Sequence, residues 1–237
     1  EDPRFELVAA ITCRDDPRLG QPLNTGSLTI IATDTCRTSY DVMVDFSMPA
    51  GTMQWLEHCL ACGSAMVIGA TGHTAQQLQR ITAASRKIAI LRDSNFSVGI
   101  SVLKSLVGDV AKRLGETYDI EIIEHHHNQK IDAPSGTAVS LTNTLAEATG
   151  RDAEKDVVHG RRGRTGIRPR RQIGVHAVRM GDLVGHHEVH FSGPGETLSL
   201  THTAHSRDTF AHGALEAAAW IVDQPPGLYH MGDVLAG

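Results

Sequence analysis

Aromatic side chains are scarce in this sequence, at 4% of residues, so base-stacking platforms for single-stranded nucleic acid are not expected. An excess of positive charge is missing as well: the formal net charge of -5 argues against a dedicated nucleic-acid binder. No apolar run reaches the roughly 18 to 20 residues of a membrane-spanning helix, so no membrane partner is expected. No charged start followed by an apolar core marks a signal peptide, and a cytoplasmic setting is the expectation. Cysteines number four, Cys13, Cys36, Cys59 and Cys62, with no repeated pair spacing. Cys59 and Cys62 stand as C-x-x-C, but their surroundings read as helix. All four are therefore expected to be small buried apolar residues in a reducing compartment.

What is present suffices for a full core in one or two domains: 237 residues, 41% hydrophobic and 21% charged. Strand, turn and helix alternate from residue 5 to 115. Strands are expected at 5–11, 28–32, 41–46, 65–68 and 88–91. The stretch 12–25 reads as polar turns, with Pro17, Gly20, Pro22 and Gly26 as signals. Ser47 is suited to cap a helix from Pro49 to Cys62, and Gly63 to end it. A second helix starts at Thr74, and Ile100, Leu103, Val107, Val110 and Leu114 set the spacing of a third. This alternation predicts α/β with a mainly parallel sheet, whose ligands sit beyond the carboxyl ends of the strands. The turns at Phe46-Ser47, Gly69 to Gly72 and Ser94 to Phe96 are ends of that kind.

From Tyr118 the pattern changes. A strand leads into a helix at 137–149, and an Arg-rich connection spans 151–172. Strands at 173–180, 183–191 and 196–203 follow, separated by Gly181-Asp182 and by Ser-Gly-Pro-Gly. A last helix covers 208–222 and stops before Pro225-Pro226. This half reads as an α+β domain with a mixed sheet. No internal repeat is visible.

The chemistry concentrates at 121–138, Glu-Ile-Ile-Glu-His-His-His-Asn-Gln-Lys-Ile-Asp-Ala-Pro-Ser-Gly-Thr-Ala. Side chains alternate along a strand, so His125 and His127 face one way and His126 the other while the strand lasts. Histidine carries a proton near neutral pH, and Lys130 supplies a cation or a second acid. Ser135, Gly136 and Thr137 open a helix whose free N–H groups and dipole suit a carboxylate or phosphate, a role compatible with simple capping. Asp132 reads as structural, bonding the turn or pairing with Lys130. Together these residues predict a site that holds and protonates an anionic small molecule. Zinc would want ligands at metal spacing, and H-E-x-x-H is absent, so no metal is expected. Arg161, Arg162, Arg164, Arg168, Arg170 and Arg171 suit a dicarboxylate, a cofactor phosphate or nucleic acid. A mobile solvated loop is the simpler expectation.

Glu124-x-His126-His127-x-x-Lys130-x-Asp132-Ala-Pro-Ser-Gly-Thr-Ala138 resembles the signature of the 4-hydroxy-tetrahydrodipicolinate (dihydrodipicolinate) reductase family. Val-Asp-Phe-Ser-x-Pro at 44–49, Val-Ile-Gly-x-Thr-Gly at 67–72 and Asn-Phe-Ser-Val-Gly at 95–99 resemble its cofactor-side turns in the same order. The stretches beginning at Val175 and Thr201 resemble its C-terminal domain, so the likeness covers almost the whole chain.

The resemblance implies a Rossmann-like nucleotide-binding domain (1–97 and 208–237) and a mixed-sheet substrate-binding and tetramerisation domain (98–207). It implies NADPH or NADH as cofactor, a small dicarboxylate as substrate, a homotetramer, and a place in lysine and diaminopimelate biosynthesis. The implied reaction delivers hydride to C4 of the cyclic imine, with loss of the 4-hydroxyl as water. His126 falls on the family's proton donor/acceptor position and Lys130 on its second proton donor. His127, Ser135, Gly136 and Thr137 fall at the substrate. Gly69, Ala70, Thr71, Asp93, Ser94, Asn95 and Phe96 fall at the cofactor.

Three departures from the family pattern stand out. A strand and a G-x-x-G-x-x-G turn are expected before the strand at 5–11, yet no glycine precedes Gly20. About 30 residues, one strand-turn-helix unit, are thus expected to be missing, with poor cofactor binding or folding as the consequence. Thr12-Cys13-Arg14 stands where an acidic residue would bond the adenine ribose, which tilts the expectation to NADPH, although Asp15 and Asp16 oppose it. Ala70 replaces a usual Thr, and Asp93-Ser94 replaces small apolar residues or Pro, placing an acid near the nicotinamide. Two alternatives accompany this reading: a non-catalytic relative that binds the dicarboxylate or serves in assembly, and a metal-dependent hydrolase using the His run.

Overall fold

The computed structural model describes residues 2–25 and 28–236. In chain order its elements are β1 (Ala10–Ile11), β2 (Pro22–Thr25), β3 (Leu28–Thr33), β4 (Val42–Asp45), α1 (Pro49–Cys62), β5 (Ala65–Ile68), α2 (Ala75–Ala84) and β6 (Ala89–Arg92). There follow α3 (Val98–Leu114), β7 (Asp119–His126), α4 (Gly136–Thr149), β8 (Val157–His159), β9 (Ile173–Arg179), β10 (Gly185–Gly193), β11 (Glu196–Ala204), α5 (Asp208–Ile221), β12 (Gly227–Tyr229) and α6 (Met231–Ala236). Two compact units result, one of Glu1–Asp93 with Ala214–His230, the other of Ser94–Gly213 with Met231–Gly237.

In the first unit, β12, β6, β5 and β4 form a parallel sheet in that order. Its strands are short, and the two central ones, β5 and β6, are largely buried, as the unbroken apolar run of β5 requires. Trp55, Leu56 and Cys59 of α1 and Ile81 of α2 close over Met66, Ile68 and Ile90. Gly63 ends α1 at φ 74, a left-handed turn that suits glycine, and a reciprocal Thr74–Gln77 capping box opens α2.

Four expectations fail in this unit. Only Ala10 and Ile11 of the 5–11 run form a strand, because only they reach ladder partners, Ala32 and Thr33 of β3. Apolar composition alone does not supply a neighbour. The polar stretch 12–25 contains β2, which pairs antiparallel with β3; the turn signal at Gly26 lies outside the described residues. Ser47 does not cap α1, since Met48 holds that position with no side-chain bond. Ser47 instead gives its N–H to Asp45. Of the cysteines only Cys59 is buried; Cys13 and Cys62 are exposed and Cys36 is intermediate, all as free thiols.

The second unit carries a mixed sheet in the order β11-β10-β7-β9-β8. Neighbours are antiparallel from β11 to β7 and parallel from β7 to β8. The Arg-rich connection contributes β8, contrary to its reading as a loop. One face of the sheet, through Ile120, Ile122, Val175, Val189 and Phe191, packs on Ile100, Leu103 and Val107 of α3 and Leu141 and Leu145 of α4. The opposite face carries Glu121, His125, His176, His186, Glu188 and His190, all partly exposed. This unit is α+β with a mixed sheet, as the sequence predicts, and the first is α/β with a parallel one. No helix among the described residues is long and apolar enough to cross a membrane.

Candidate active site

The site grows from the alternation of β7. Ile120, Ile122, Glu124 and His126 are buried in turn, while the residues between them are only partly so. The two inner polar residues therefore share one face at successive inward positions. Burying them demands partners, and they are each other's: His126 Nδ1 lies 2.6 Å from Glu124 Oε2. Glu124, with none of its surface exposed, also accepts two bonds from Arg179, Nη1 to Oε2 and Nη2 to Oε1, both at 2.8 Å. The backbone N–H of Ser135 gives it a fourth bond at 3.0 Å. Arg179 faces His126 in register across β7 and β9 and donates again to the carbonyl of Asp132 at 2.7 Å. One carboxylate thus fastens the histidine, the neighbouring strand and the start of α4.

Burial pushes the Glu124 carboxyl up, and the bonds from Arg179, His126 and Ser135 more than reverse this, holding it below the usual range. For His126 burial favours the neutral ring; the Glu124 bond opposes that, and the charges of Lys130 and Arg179 reinforce it, for a net downward shift. With Nδ1 committed to Glu124, Nε2 is the nitrogen left to exchange a proton. Gly185 makes room for it, since a Cβ there would stand 3.1 Å from His126 Nε2. Burial drives neighbouring His187 to about 3, so this ring stays neutral; its Nε2 lies 3.2 Å from Ser135 Oγ.

Beyond β7 the chain is held by backbone bonds from His127 N–H to the Leu183 carbonyl and from Asn128 N–H to that of Gly181. Lys130 Nζ pairs with Asp132 at 2.9 Å, as expected of that aspartate. A cis peptide joins Ala133 to Pro134. Ser135 caps α4 by accepting the N–H of Ala138. This leaves the N–H groups of Gly136 and Thr137 without helical acceptors, at the positive end of the dipole. Asn95 Nδ2 donates to Thr137 Oγ1 at 2.8 Å. Gly136 also lines a shallow polar cavity with Ser94, Lys104, Ser140 and Asn143, which includes neither His126 nor Lys130.

In the first unit, the turns after β4 and β5 come together. Gly69 donates its N–H to the Asp45 carbonyl at 2.8 Å, and a Cβ on Gly69 would strike the ring of Phe46 at 2.3 Å. Buried Asp45 takes the Ser47 N–H and the Thr52 hydroxyl. The N–H of Asp93, after β6, bonds the Ile68 carbonyl. Thr71 is exposed and Ala70 buried. Arg92 Nε and both ring nitrogens of His73 are buried without hydrogen-bond partners among the described residues. Strand ends with a glycine cradle and unpartnered polar atoms fit a nicotinamide cofactor, which would pair with them. Ser94, Asn95 and Phe96 belong to the second unit, and Phe96 is buried, so its side chain is core rather than contact surface.

The Arg-rich segment departs from expectation. Arg161 and Arg168 bond Glu121, Arg168 also reaches Asp119 and three carbonyls, and Arg171 pairs with Glu116 and Asp156. These arginines pin the connection to the sheet, because Glu121 is half-buried and needs cations. These three are not solvated as expected, whereas Arg162, Arg164 and Arg170 are exposed.

Family models describing the dihydrodipicolinate reductase N-terminus and C-terminus match residues 1–96 and 99–235. The chain belongs to the dihydrodipicolinate reductase family. It is 48% identical to the 4-hydroxy-tetrahydrodipicolinate reductase of Psychrobacter arcticus, over 82% of this chain and 70% of that one. The enzyme of that name from Methylococcus capsulatus is 42% identical over 99% of this chain and 90% of its own. Among solved structures, a dipicolinate-bound dihydrodipicolinate reductase from Paenisporosarcina sp. TG-14 matches with a TM-score of 0.75. It is 26% identical, with 95% of this chain and 87% of that chain covered. The family is one of NAD(P)H-dependent oxidoreductases with a nucleotide-binding N-terminal half. These relatives do not favour the non-catalytic alternative.

Sequence reasoning singled out His126, Lys130 and the Ser135 to Thr137 turn but gave no role to Glu124, Arg179, Gly185 or His187. A signal for Glu124 was present: a glutamate two residues before a histidine on a strand must share its face. Arg179 had none, since only sheet register brings it there.

Proposed function

We propose that this chain reduces 4-hydroxy-tetrahydrodipicolinate to tetrahydrodipicolinate with loss of water, using NADPH in preference to NADH. The observation that carries this reading is the buried Glu124–His126 pair, set beside Lys130 and the opening turn of α4. The first N–H groups of α4, at Gly136 and Thr137, hold a substrate carboxylate, and the Lys130 ammonium pairs with one as well. His127 and Ser135 complete the substrate side. The bound nicotinamide supplies the hydride; Gly69, Ala70, Thr71 and the turn from Asp93 to Phe96 hold it. Hydride addition to the conjugated imine leaves negative charge, which a proton from Lys130 or His126 quenches. His126, neutral at rest, accepts a proton at Nε2 and returns it, while Glu124 steadies the charged ring.

The preference for NADPH rests on Arg14. Its side chain is 84% exposed and spends Nε on Asp34, leaving the other guanidinium donors for a 2′-phosphate. Arg14→Ala should raise KM for NADPH about tenfold and leave that for NADH near its starting value, in steady-state assays with both cofactors. A homotetramer and a cytoplasmic setting belong to the same reading. The partly exposed face of the five-stranded sheet supports the first, and light scattering tests it.

The function itself is tested by following cofactor oxidation with freshly generated substrate. His126→Gln should lower turnover by about 10²–10⁴ and change KM little, whereas Lys130→Ala should damage both. Near-normal activity of Lys130→Ala on the dicarboxylate would refute the site.

A further inference from the structure

The sheet face turned away from Glu124 and His126 carries a second histidine cluster that the reductase reading leaves unused. His125 of β7 and His186 of β10 stand directly opposite each other in the antiparallel register, their rings 5.2 Å apart and edge-on. Glu188 is the next residue on that face of β10. His186 Nε2 lies 2.8 Å and His125 Nε2 3.8 Å from the same oxygen, Glu188 Oε1. One ligand atom from each residue falls within 4.8 Å of the other two.

We propose that His125, His186 and Glu188 form a binding site for a divalent transition-metal ion, with zinc the best match. Two imidazole nitrogens and one carboxylate are a zinc donor set, whereas calcium and magnesium prefer all-oxygen sites. With metal–ligand distances of about 2.0–2.2 Å, tetrahedral ligands stand about 3.3 Å apart, and the separations from Glu188 bracket that value.

The outer partners a metal site needs are also built. The other ring nitrogen of His186, Nδ1, lies 2.7 Å from Thr203 Oγ1, which leaves Nε2 for the metal. The second oxygen of Glu188 is 2.9 Å from His190 Nε2, and His190 Nδ1 is 2.8 Å from Ser199 Oγ. Thr203 and Ser199 are the register partners of His186 and His190 on β11, so the supports come from a rigid ladder rather than a loop. Side-chain exposures of 23% for His125 and His186 and 26% for Glu188 leave room for an ion in the single chain. The sequence carries the signal as His-x-Glu-x-His at 186–190, three alternating residues that a strand puts on one face. The ligands point away from the face that holds His126, so the ion has a structural role and the reductase chemistry does not pass through it.

The test uses the full chain without a histidine tag, stripped with chelator and titrated with zinc chloride against a chromophoric competitor. One zinc per chain is expected, a higher melting temperature with zinc, and a visible absorption band on replacement by cobalt(II). Glu188→Gln and His186→Ala should each weaken zinc binding at least 100-fold, and Thr203→Val, which spares every ligand, about tenfold. Circular dichroism of each variant separates lost binding from lost fold, with Thr203→Val deciding should a ligand variant not fold. The proposal is overturned if the stripped protein takes up no zinc. It is equally overturned if uptake survives unchanged in Glu188→Gln and His186→Ala, which would place the ion elsewhere, for example at the His58–Cys62 pair of α1.

Discussion

Strand β7 turns two glutamates to opposite faces of one sheet, and each is answered by arginine and histidine. Glu124, fully buried, binds Arg179, His126 and a backbone N–H. Glu121, its side chain 25% exposed, binds Arg161, Arg168 and His176. The partners are alike, but water is not. On the inner face every polar group depends on its neighbours, so the network fixes one tautomer and one ring position for His126. On the outer face solvent shares the load, and the same set of residues only ties the Arg-rich connection to the sheet. Chemistry goes with the dry network, architecture with the wet one.

Removing each carboxylate in turn should separate the two faces most strongly. Glu124→Ala strands Arg179 and His126 and should cost about 3–5 kcal/mol in denaturant unfolding. Glu124→Gln keeps the shape but not the charge. It should lower turnover by about 10² or more with a smaller loss of stability, because His126 loses the group that orients it. Glu121→Gln should leave turnover within about twofold, and an equal fall in both variants would mean that the two faces do not differ in their part in catalysis.

Crowding His126 should have a smaller effect. Gly185→Ala puts a Cβ 3.1 Å from His126 Nε2, so the ring must give by a few tenths of an ångström. Turnover should drop about tenfold while the melting temperature stays within a few degrees, since misplacement of a reacting group costs rate before it costs fold.

The smallest effect is a pH dependence. Burial pushes Glu121 up, but bonds from Arg161, His176 and Arg168 prevail and lower it from 4.5 to about 2. A carboxylate with a depressed folded-state pKa contributes stability above its unfolded value and loses it as pH falls through the folded one. Unfolding free energy should therefore decline from about pH 4.5 down toward 2 in the parent and decline less in Glu121→Gln. Solvent screening holds this difference to about 1–2 kcal/mol. Denaturant midpoints across that range check it.

Much of the architecture was legible in the order of residues. The α3 helix, Val98–Leu114, carries the predicted spacing from Ile100 to Leu114, because its apolar pattern and Ser97 cap are local facts. The Ser135 to Thr137 turn, the alternation of His125 and His126 and the parallel pattern of β5 and β6 were readable for the same reason. Ala10 and Ile11 show the limit: five further apolar-run residues found no ladder, and composition cannot reveal a missing neighbour. Thr12 to Thr25 shows its converse, a polar stretch in which β2 forms because β3 is there to pair with it.

Residue type and short-range geometry are enough to pick out the groups that can move protons and hold an anion: His126, Lys130 and the helix opening at Gly136. Which of the available partners they meet depends on the folded sheet. Arg179 reaches Glu124, Gly185 lies under His126, and His125 faces His186, because three strands distant in sequence settle into one register. Such pairings are fixed by burial and ladder hydrogen bonds over the whole sheet, and no local pattern encodes them.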